Sequence, residues 1–181
     1  MRLGNTEQIS WRLNKMTIVY SSNTGHTKQY AELLQEATGY PTFALDELPS
    51  YVRGDDAIYL GWLMAGRVTG LSKAQSRLNV RCVVANGMTP ESEEQAESVH
   101  KQNGLPEGVP LFYVQGGYDF KKLRGIYKMM MKLKGKEILS RFDGKTDEEK
   151  KADPVYKMIT EGYSVVSAER LAPVVEWAKG K

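Results

Sequence analysis

Short apolar runs alternate with amphipathic stretches along most of the chain. Five runs rich in β-branched and other apolar residues have the length of buried strands: residues 16–20, 42–45, 57–62, 80–85 and 110–114. Four stretches have helical spacing of apolar positions: residues 28–37, 69–78, 90–104 and 168–179. Apolar strands that alternate with helices predict an α/β fold with helices on both faces of a doubly wound parallel sheet, and the five strand–helix units fit a five-stranded sheet of order 2-1-3-4-5.

Composition narrows the class of protein without selecting a function. Hydrophobic residues make up 41% of the 181 residues and charged residues 26%, as in ordinary soluble domains. No apolar run has the length of a membrane span. The single cysteine, Cys82, lies in an apolar run, so we expect an unreactive core thiol in a reducing cytoplasm. One cysteine and two distant histidines form no familiar zinc spacing, and the mild net charge of +3 gives no reason to expect nucleic-acid binding.

The segment between the first predicted strand and helix carries most of the chemistry. It consists of Ser21, Ser22, Asn23, Thr24, Gly25, His26 and Thr27. Hydroxyl groups here meet the free N–H groups and the positive dipole of a helix start, which together predict a phosphate site. The alternative is a plain helix N-cap. The chain has neither a GxxxxGK[ST] nor a GxGxxG motif, which argues against a triphosphatase or a Rossmann dinucleotide site.

Two further loops are expected beside this one, because the carboxyl ends of parallel strands meet at one edge of the sheet. The loop after the third strand reads Gly61, Trp62, Leu63, Met64, Ala65 and Gly66. The loop after the fourth strand begins with Asn86, Gly87 and Met88. Glycines allow the backbone to approach a ligand, and Trp62 is either a stacking side chain or a core residue.

The sequence from Tyr20 to Thr27 resembles the phosphate loop of flavodoxins, which bind flavin mononucleotide (FMN). The resemblance covers about residues 16–118 and the last helix, and it implies a flavodoxin-like fold with FMN held by the three loops. It implies that the loop at Trp62 packs on the inner face of the flavin ring. Flavodoxins often place an aromatic residue on the outer face, but the loop at Met88 has none, so Met88 or Tyr118 substitutes or that face stays open. His26 is expected to be a solvated loop residue, with a contact to the phosphate or the reduced ring as the alternative.

Domain organisation is expected to be simple. Residues 1–15 are interpreted as an N-terminal extension, unless Trp11 anchors them, and residues 16–181 as one domain with an insert at about 118–164. The insert is predicted to contain a helix over residues 120–134 and an exposed polar loop over 143–153. Its basic, aromatic and Met-rich helix resembles the corresponding region of the menaquinone-dependent protoporphyrinogen oxidase branch of the flavodoxins.

Three functions follow as hypotheses. The first is an FMN-dependent redox protein that carries electrons between a reductase or ferredoxin and an acceptor. The second is a quinone-linked FMN enzyme that oxidises a tetrapyrrole precursor. The third is a flavin-free interaction module. The helix at 120–136 is predicted to dock on an anionic membrane surface or an acidic partner, unless its apolar face packs on the domain. The expected location is the cytoplasm, with a peripheral position at the inner membrane face as a further expectation.

Overall fold

A computed structural model describes residues 16–181. Its main sheet contains six strands: β1 (Met16–Ser21), β2 (Thr42–Ala44), β3 (Asp56–Met64), β4 (Arg67–Val68), β5 (Asn79–Gly87) and β6 (Leu111–Gln115). Five of them are parallel and run in the order β2-β1-β3-β5-β6, while β4 pairs antiparallel with β3. With the short β4 set aside, this is the predicted order 2-1-3-4-5, so the predicted fold class is confirmed.

Seven α-helices and a small hairpin complete the described part of the chain. The helices are α1 (His26–Thr38), α2 (Leu71–Gln75), α3 (Glu93–Gln102), α4 (Gly125–Leu139), α5 (Asp147–Ala152), α6 (Pro154–Glu161) and α7 (Ala172–Lys179). Single 3-10 turns occupy Leu45–Glu47, Ser50–Val52, Ser140–Phe142 and Glu169–Leu171. Strands β7 (Gly117–Tyr118) and β8 (Tyr163–Ser164) pair antiparallel and join the two ends of the insert.

The core consists of two layers, one on each face of the sheet. Ile18 and Ile58 pack with residues of α1 and α7 on one face. Val19 and Tyr59, their neighbours along the strands, pack with residues of α2 and α3 on the other face. Alternating side chains of a strand point to opposite faces, so strands that are apolar throughout fill both layers. Cys82 lies fully buried in the first layer, as predicted, and burial raises the pKa of its thiol.

The prediction that residues 61–66 form a loop after the third strand is wrong for most of them. Residues 61–64 continue β3, and a tight turn at Ala65 and Gly66 leads into β4. Both turn residues have positive φ, 48° and 77°, as a two-residue hairpin requires. A Cβ on Gly61 would lie 2.5 Å from a side-chain carbon of Val68. The glycine therefore leaves space for β4, and the close approach at Gly61 is between β3 and β4.

Three predicted helices are shorter than expected. The helix predicted over 69–78 is limited to α2, which begins after Gly70 at a φ of 82°. The helix predicted from residue 90 begins at α3, because the Ser92 side chain accepts a hydrogen bond from the Gln95 amide and caps it there. The last helix is a 3-10 turn followed by α7, with a proline in its first turn. Caps and left-handed residues set these boundaries.

The insert differs most from the prediction. The helix predicted over 120–134 is α4, which begins five residues later, because the Asp119 carboxylate accepts hydrogen bonds from the amides of Lys121 and Lys122 and holds a turn. The predicted exposed loop at 143–153 contains α5, which starts with a reciprocal capping box between Thr146 and Glu149.

The predicted extension at residues 1–15, including Trp11, lies outside the described residues. Across residues 16–181, no helix combines the length and apolar character needed to cross a bilayer.

Candidate functional site

A cavity of about 700 Å³ opens at the carboxyl ends of β1, β3 and β5. This is the edge of the sheet where the chain order reverses, the usual ligand position in open α/β folds. Eleven of the sixteen predicted site residues line it: Asn23, Thr24, His26, Thr27, Trp62, Leu63, Met64, Ala65, Asn86, Gly87 and Met88. The structure thus brings residues from all three predicted segments to one cavity.

The other five predicted residues support the segments without lining the cavity. The Ser22 hydroxyl accepts a hydrogen bond from the Gly25 amide at 3.2 Å, and Gly25 takes a φ of 98° just before α1. The Ser21 side chain contacts the Tyr59 hydroxyl, on the face of the sheet that packs against α2 and α3. Gly61 accommodates β4, as described above, and the Gly66 carbonyl accepts a hydrogen bond from a side chain at the end of α3.

His26 is buried, so the prediction of a solvated loop histidine is wrong. Only 6% of the residue is exposed, and its Nδ1 lies 2.9 Å from the Thr24 hydroxyl. Burial and the nearby Lys122 ammonium lower the pKa of His26, and Asp119 partly offsets them. The imidazole is therefore mainly neutral at pH 7 and shares one hydrogen bond with the loop hydroxyl. The insert, which supplies both charged neighbours, is what encloses it.

A buried hydrogen bond joins the ends of two segments on the floor of the cavity. The Asn86 side-chain amide donates to the Thr27 hydroxyl at 3.0 Å, and Thr27 is only 1% exposed. A Cβ on Gly116 would lie 2.0 Å from the Asn86 oxygen, so a glycine is needed for the amide to fit. This bond ties the end of β5 to the first turn of α1.

Aromatic side chains form one wall. The ring of Trp62 meets the ring of Tyr127 edge to face, with centroids 4.8 Å apart and planes at 88°. Such pairs add to the free energy gained from burial alone. Because Tyr127 belongs to α4, this contact places the insert helix over the carboxyl end of β3. Trp62 is half-buried at the cavity, rather than part of the core.

Apart from Tyr118, which was offered as a substitute for the missing aromatic residue, sequence reasoning did not assign the insert to the site, although the insert supplies much of the lining. The additional lining residues are Gly117, Tyr118, Leu123, Tyr127, Met130, Met131, Leu133, Lys134 and Glu137. The three-and-four spacing of apolar residues in this helix was the available signal. It shows that the helix has an apolar face, but it does not tell where in the fold that face packs.

The segment at Met88 is anchored from three directions. Gln115 donates through its side chain to the Met88 carbonyl at 2.9 Å, and Tyr163 donates its hydroxyl to the same oxygen. Glu91 forms an ion pair with Arg170 and accepts the Gln115 amide at 2.9 Å. Burial alone would raise the pKa of Glu91, but these partners together lower it. The cavity rim is therefore braced by β6, β8 and the approach to α7.

The lining of the cavity is polar beside the start of α1 and mostly apolar elsewhere. Asn23, Thr24 and Thr27 present amide and hydroxyl groups beside the start of α1. Within the described part of the chain, Glu137 is the only acidic residue that lines the cavity, and it is paired with Lys134 at 2.9 Å. This arrangement suits a flat, largely apolar ligand that carries an anionic group at one end.

Comparisons with known proteins add little. The chain matches no protein-family model and no curated protein. Among solved structures it is similar to the flavodoxin, WrbA-like protein from Agrobacterium tumefaciens, at 16% sequence identity and a TM-score of 0.35, over 55% of this chain and 82% of that one. The description of the fold therefore rests on the strand order and register given above.

Proposed function

We propose that this protein binds FMN and works as a redox protein that transfers electrons between a reductase or ferredoxin and an acceptor in the cytoplasm. The observation that carries the proposal is the position and polarity of the cavity. It lies at the switch point of a 2-1-3-4-5 sheet, and its lining includes both a hydroxyl-rich helix start and Trp62. This is the arrangement that a flat ring with a phosphate tail needs.

The donor set at the helix start fits a phosphate. Thr24 and Thr27 carry hydroxyls, Asn23 carries an amide, and the first amides of α1 are free of helical partners. Each hydrogen bond from such a group to an anion contributes about 1.5–3 kcal/mol. The Asn86 amide already donates to Thr27, which leaves the hydroxyl proton of Thr27 for another acceptor. These residues would hold the phosphate.

The apolar part of the cavity fits the ring. Trp62 and residues 63–65 line it, with Tyr127 against Trp62 on the same wall, and Tyr118 is an aromatic lining residue of the kind that the Met88 segment lacks. FMN, when bound, supplies one- and two-electron redox chemistry, so the protein needs only to bind, orient and shield it.

Spectroscopy of the purified protein tests the cofactor. We expect flavin absorption bands, and we expect Thr24→Val to weaken FMN binding by about tenfold or more because one contact to the anion is lost. Riboflavin, which has no phosphate, should lose much less affinity. Thr160→Val is the matched control, because this exposed threonine bonds only to its own helix, at the Tyr156 carbonyl. Equal losses for FMN and riboflavin would refute the phosphate assignment.

Tryptophan fluorescence tests the ring position. With Trp11 and Trp177 replaced by Phe, Trp62 is the remaining tryptophan. We expect FMN to quench its emission and Trp62→Ala to weaken both FMN and riboflavin. Unchanged emission at saturating FMN would place the ring elsewhere in the cavity.

A second candidate is a quinone-linked FMN oxidase of a tetrapyrrole precursor. The insert supports it, because Leu123, Met130 and Met131 extend the cavity with an apolar surface that could take a second flat molecule. Anaerobic assays with the reduced tetrapyrrole and a soluble quinone test it. Protein that contains no flavin and binds none would instead favour an interaction module without a redox role.

A further inference from the structure

The insert helix α4 has a second apolar face, which points away from the domain. Tyr127 and Met131 line the cavity and are partly buried, whereas four other apolar residues of the helix are exposed, two of them at the edge of the cavity. They are Ile126, Met129, Met130 and Leu133, with exposed fractions of 62%, 59%, 44% and 66%. Their spacing of three and four places them on one continuous stripe. We call these four residues the outer stripe. Together they form an exposed apolar patch on an otherwise polar surface, which marks an interaction site.

Positive charge is concentrated around the outer stripe. Residues 120–136 contain seven basic residues and no acidic one: Lys121, Lys122, Arg124, Lys128, Lys132, Lys134 and Lys136. Subtracting these seven charges from the net charge of +3 leaves −4 on the rest of the chain. Lys122 is paired with Asp119, and Lys134 with Glu137. In the part of the chain that the structure describes, Lys132 and Lys136 are exposed and form no salt bridge. The excess charge thus belongs to one helix and its approach.

We propose that the outer face of α4 binds the surface of an anionic lipid bilayer. Helices with an apolar stripe bordered by lysines lie in the plane of the interface, with the stripe among the acyl chains and the lysines at the headgroups. Each lysine near such a surface contributes an attraction that salt screens. Pairing of two stripes from two copies would bring two strongly basic helices together, which their mutual repulsion opposes. The bilayer therefore complements both the stripe and its charge.

Docking in this way would turn the cavity towards the lipid. Met130 and Leu133 belong to the outer stripe and also line the cavity. The mouth of the cavity therefore lies at the stripe, and an apolar molecule dissolved in the bilayer could reach it without crossing water. The docking itself needs no flavin, so it is independent of the function proposed above.

Vesicle co-sedimentation tests the proposal with the full chain. The probes are vesicles of phosphatidylcholine alone and of phosphatidylcholine with phosphatidylglycerol, each at low and high salt. We expect binding to the anionic vesicles at low salt, at least about tenfold weaker binding at high salt, and little binding to neutral vesicles. Protein that stays in the supernatant with the anionic vesicles at low salt would overturn the proposal.

Two sets of variants separate the stripe from its charge. Lys128→Gln, Lys132→Gln and Lys136→Gln together should weaken binding by about tenfold or more. Lys101→Gln, Lys151→Gln and Lys179→Gln are the matched control, since these three lysines are exposed elsewhere and remove the same charge. Equal losses in both triple variants would overturn the proposal, because they would make the attraction a property of net charge. Circular dichroism confirms that each variant is folded.

An environment-sensitive dye reports insertion of the stripe. Leu133→Cys can be labelled selectively, because Cys82 is fully buried and burial raises the pKa of its thiol. We expect a blue shift of the dye on anionic vesicles and none for the same dye at Lys151→Cys. Vesicle binding without a shift at residue 133 would overturn the assignment of the stripe to the lipid.

Two other occupants would be visible in the same experiments. Concentration-dependent dimerisation that Leu133→Gln abolishes, without vesicle binding, would show that a second copy covers the stripe. Salt-sensitive reduction by an acidic ferredoxin, without vesicle binding, would show a protein partner. Either result overturns the proposal.

Discussion

The hydrogen bond between Asn86 and Thr27 gives the sharpest test of how the cavity floor is held. Thr27→Val keeps the size and β-branching of the side chain but removes the oxygen that accepts the Asn86 amide at 3.0 Å. Both residues are buried, at 7% and 1% exposure, so the amide would lose a partner that solvent replaces poorly. Leaving a buried donor unpaired costs about 1–3 kcal/mol of the free energy of unfolding. For a chain of this size, that corresponds to a melting temperature about 2–12 °C lower.

Urea unfolding followed by circular dichroism measures the effect, and a double-mutant cycle isolates the bond. Asn86→Leu alone should also destabilise, because it strands the Thr27 hydroxyl. The double variant Asn86→Leu with Thr27→Val should cost less than the sum of the two single changes, by about 0.5–1.5 kcal/mol, since neither partner is then left unpaired.

Thr160→Val serves as the control for replacing a helical threonine by valine. Thr160 is exposed, and its hydroxyl bonds to its own helix, so the change should stay within about 0.5 kcal/mol of the unaltered protein. If Thr27→Val were equally mild, or if the two single effects simply added, the bond would not hold β5 to α1 and the reasoning above would be refuted.

Three further outcomes are expected. The pKa of Glu91 in the folded protein lies below its usual 4.5, so the stability that Glu91 adds is present above pH 4.5 and is lost as the pH falls through the folded pKa. The difference in melting temperature between the unaltered protein and Glu91→Gln should shrink over the same pH range, and a constant difference would contradict this. Gly61→Ala should destabilise the protein by about 1–3 kcal/mol in urea unfolding, because its Cβ would lie 2.5 Å from a carbon of β4, whereas Gly108→Ala has open space and should be close to neutral. Cys82 should react with a thiol reagent only after unfolding in urea, and rapid labelling of the native protein would place it at the surface instead.

Local signals predicted the sheet well and the element boundaries less well. The apolar runs that became β1, β3 and β5 are buried on both faces, so each carries its own signature in the sequence. Boundaries depended on single hydrogen bonds instead. Asp119 stabilises a turn, so that α4 begins five residues later than predicted. Thr146 caps α5 inside a stretch whose polar composition predicted a loop.

The candidate site shows the same division. The hydroxyl-rich segment and the two others were found from the sequence, because the carboxyl ends of parallel strands must share one edge of the sheet. The role of Gly61 was not found from the sequence, because the glycine leaves space for the β3–β4 hairpin, which no local pattern predicted. The burial of His26 was missed for a related reason, since the insert that encloses it is more than ninety positions away along the chain.

The sequence by itself determined the alternation of buried strands and helices, the segments that follow the strands at one edge of the sheet and the basic, apolar character of the insert helix, because each of these follows from periodicity, residue type and chain direction. Only the tertiary structure decided that α4 lies over the cavity through the Trp62–Tyr127 contact, and that four of its apolar residues stay exposed as the outer stripe, two of them at the edge of the cavity. Periodicity describes which residues share a face of a helix. Where that face packs depends on contacts between residues far apart in the chain, and those exist only once the whole fold has formed.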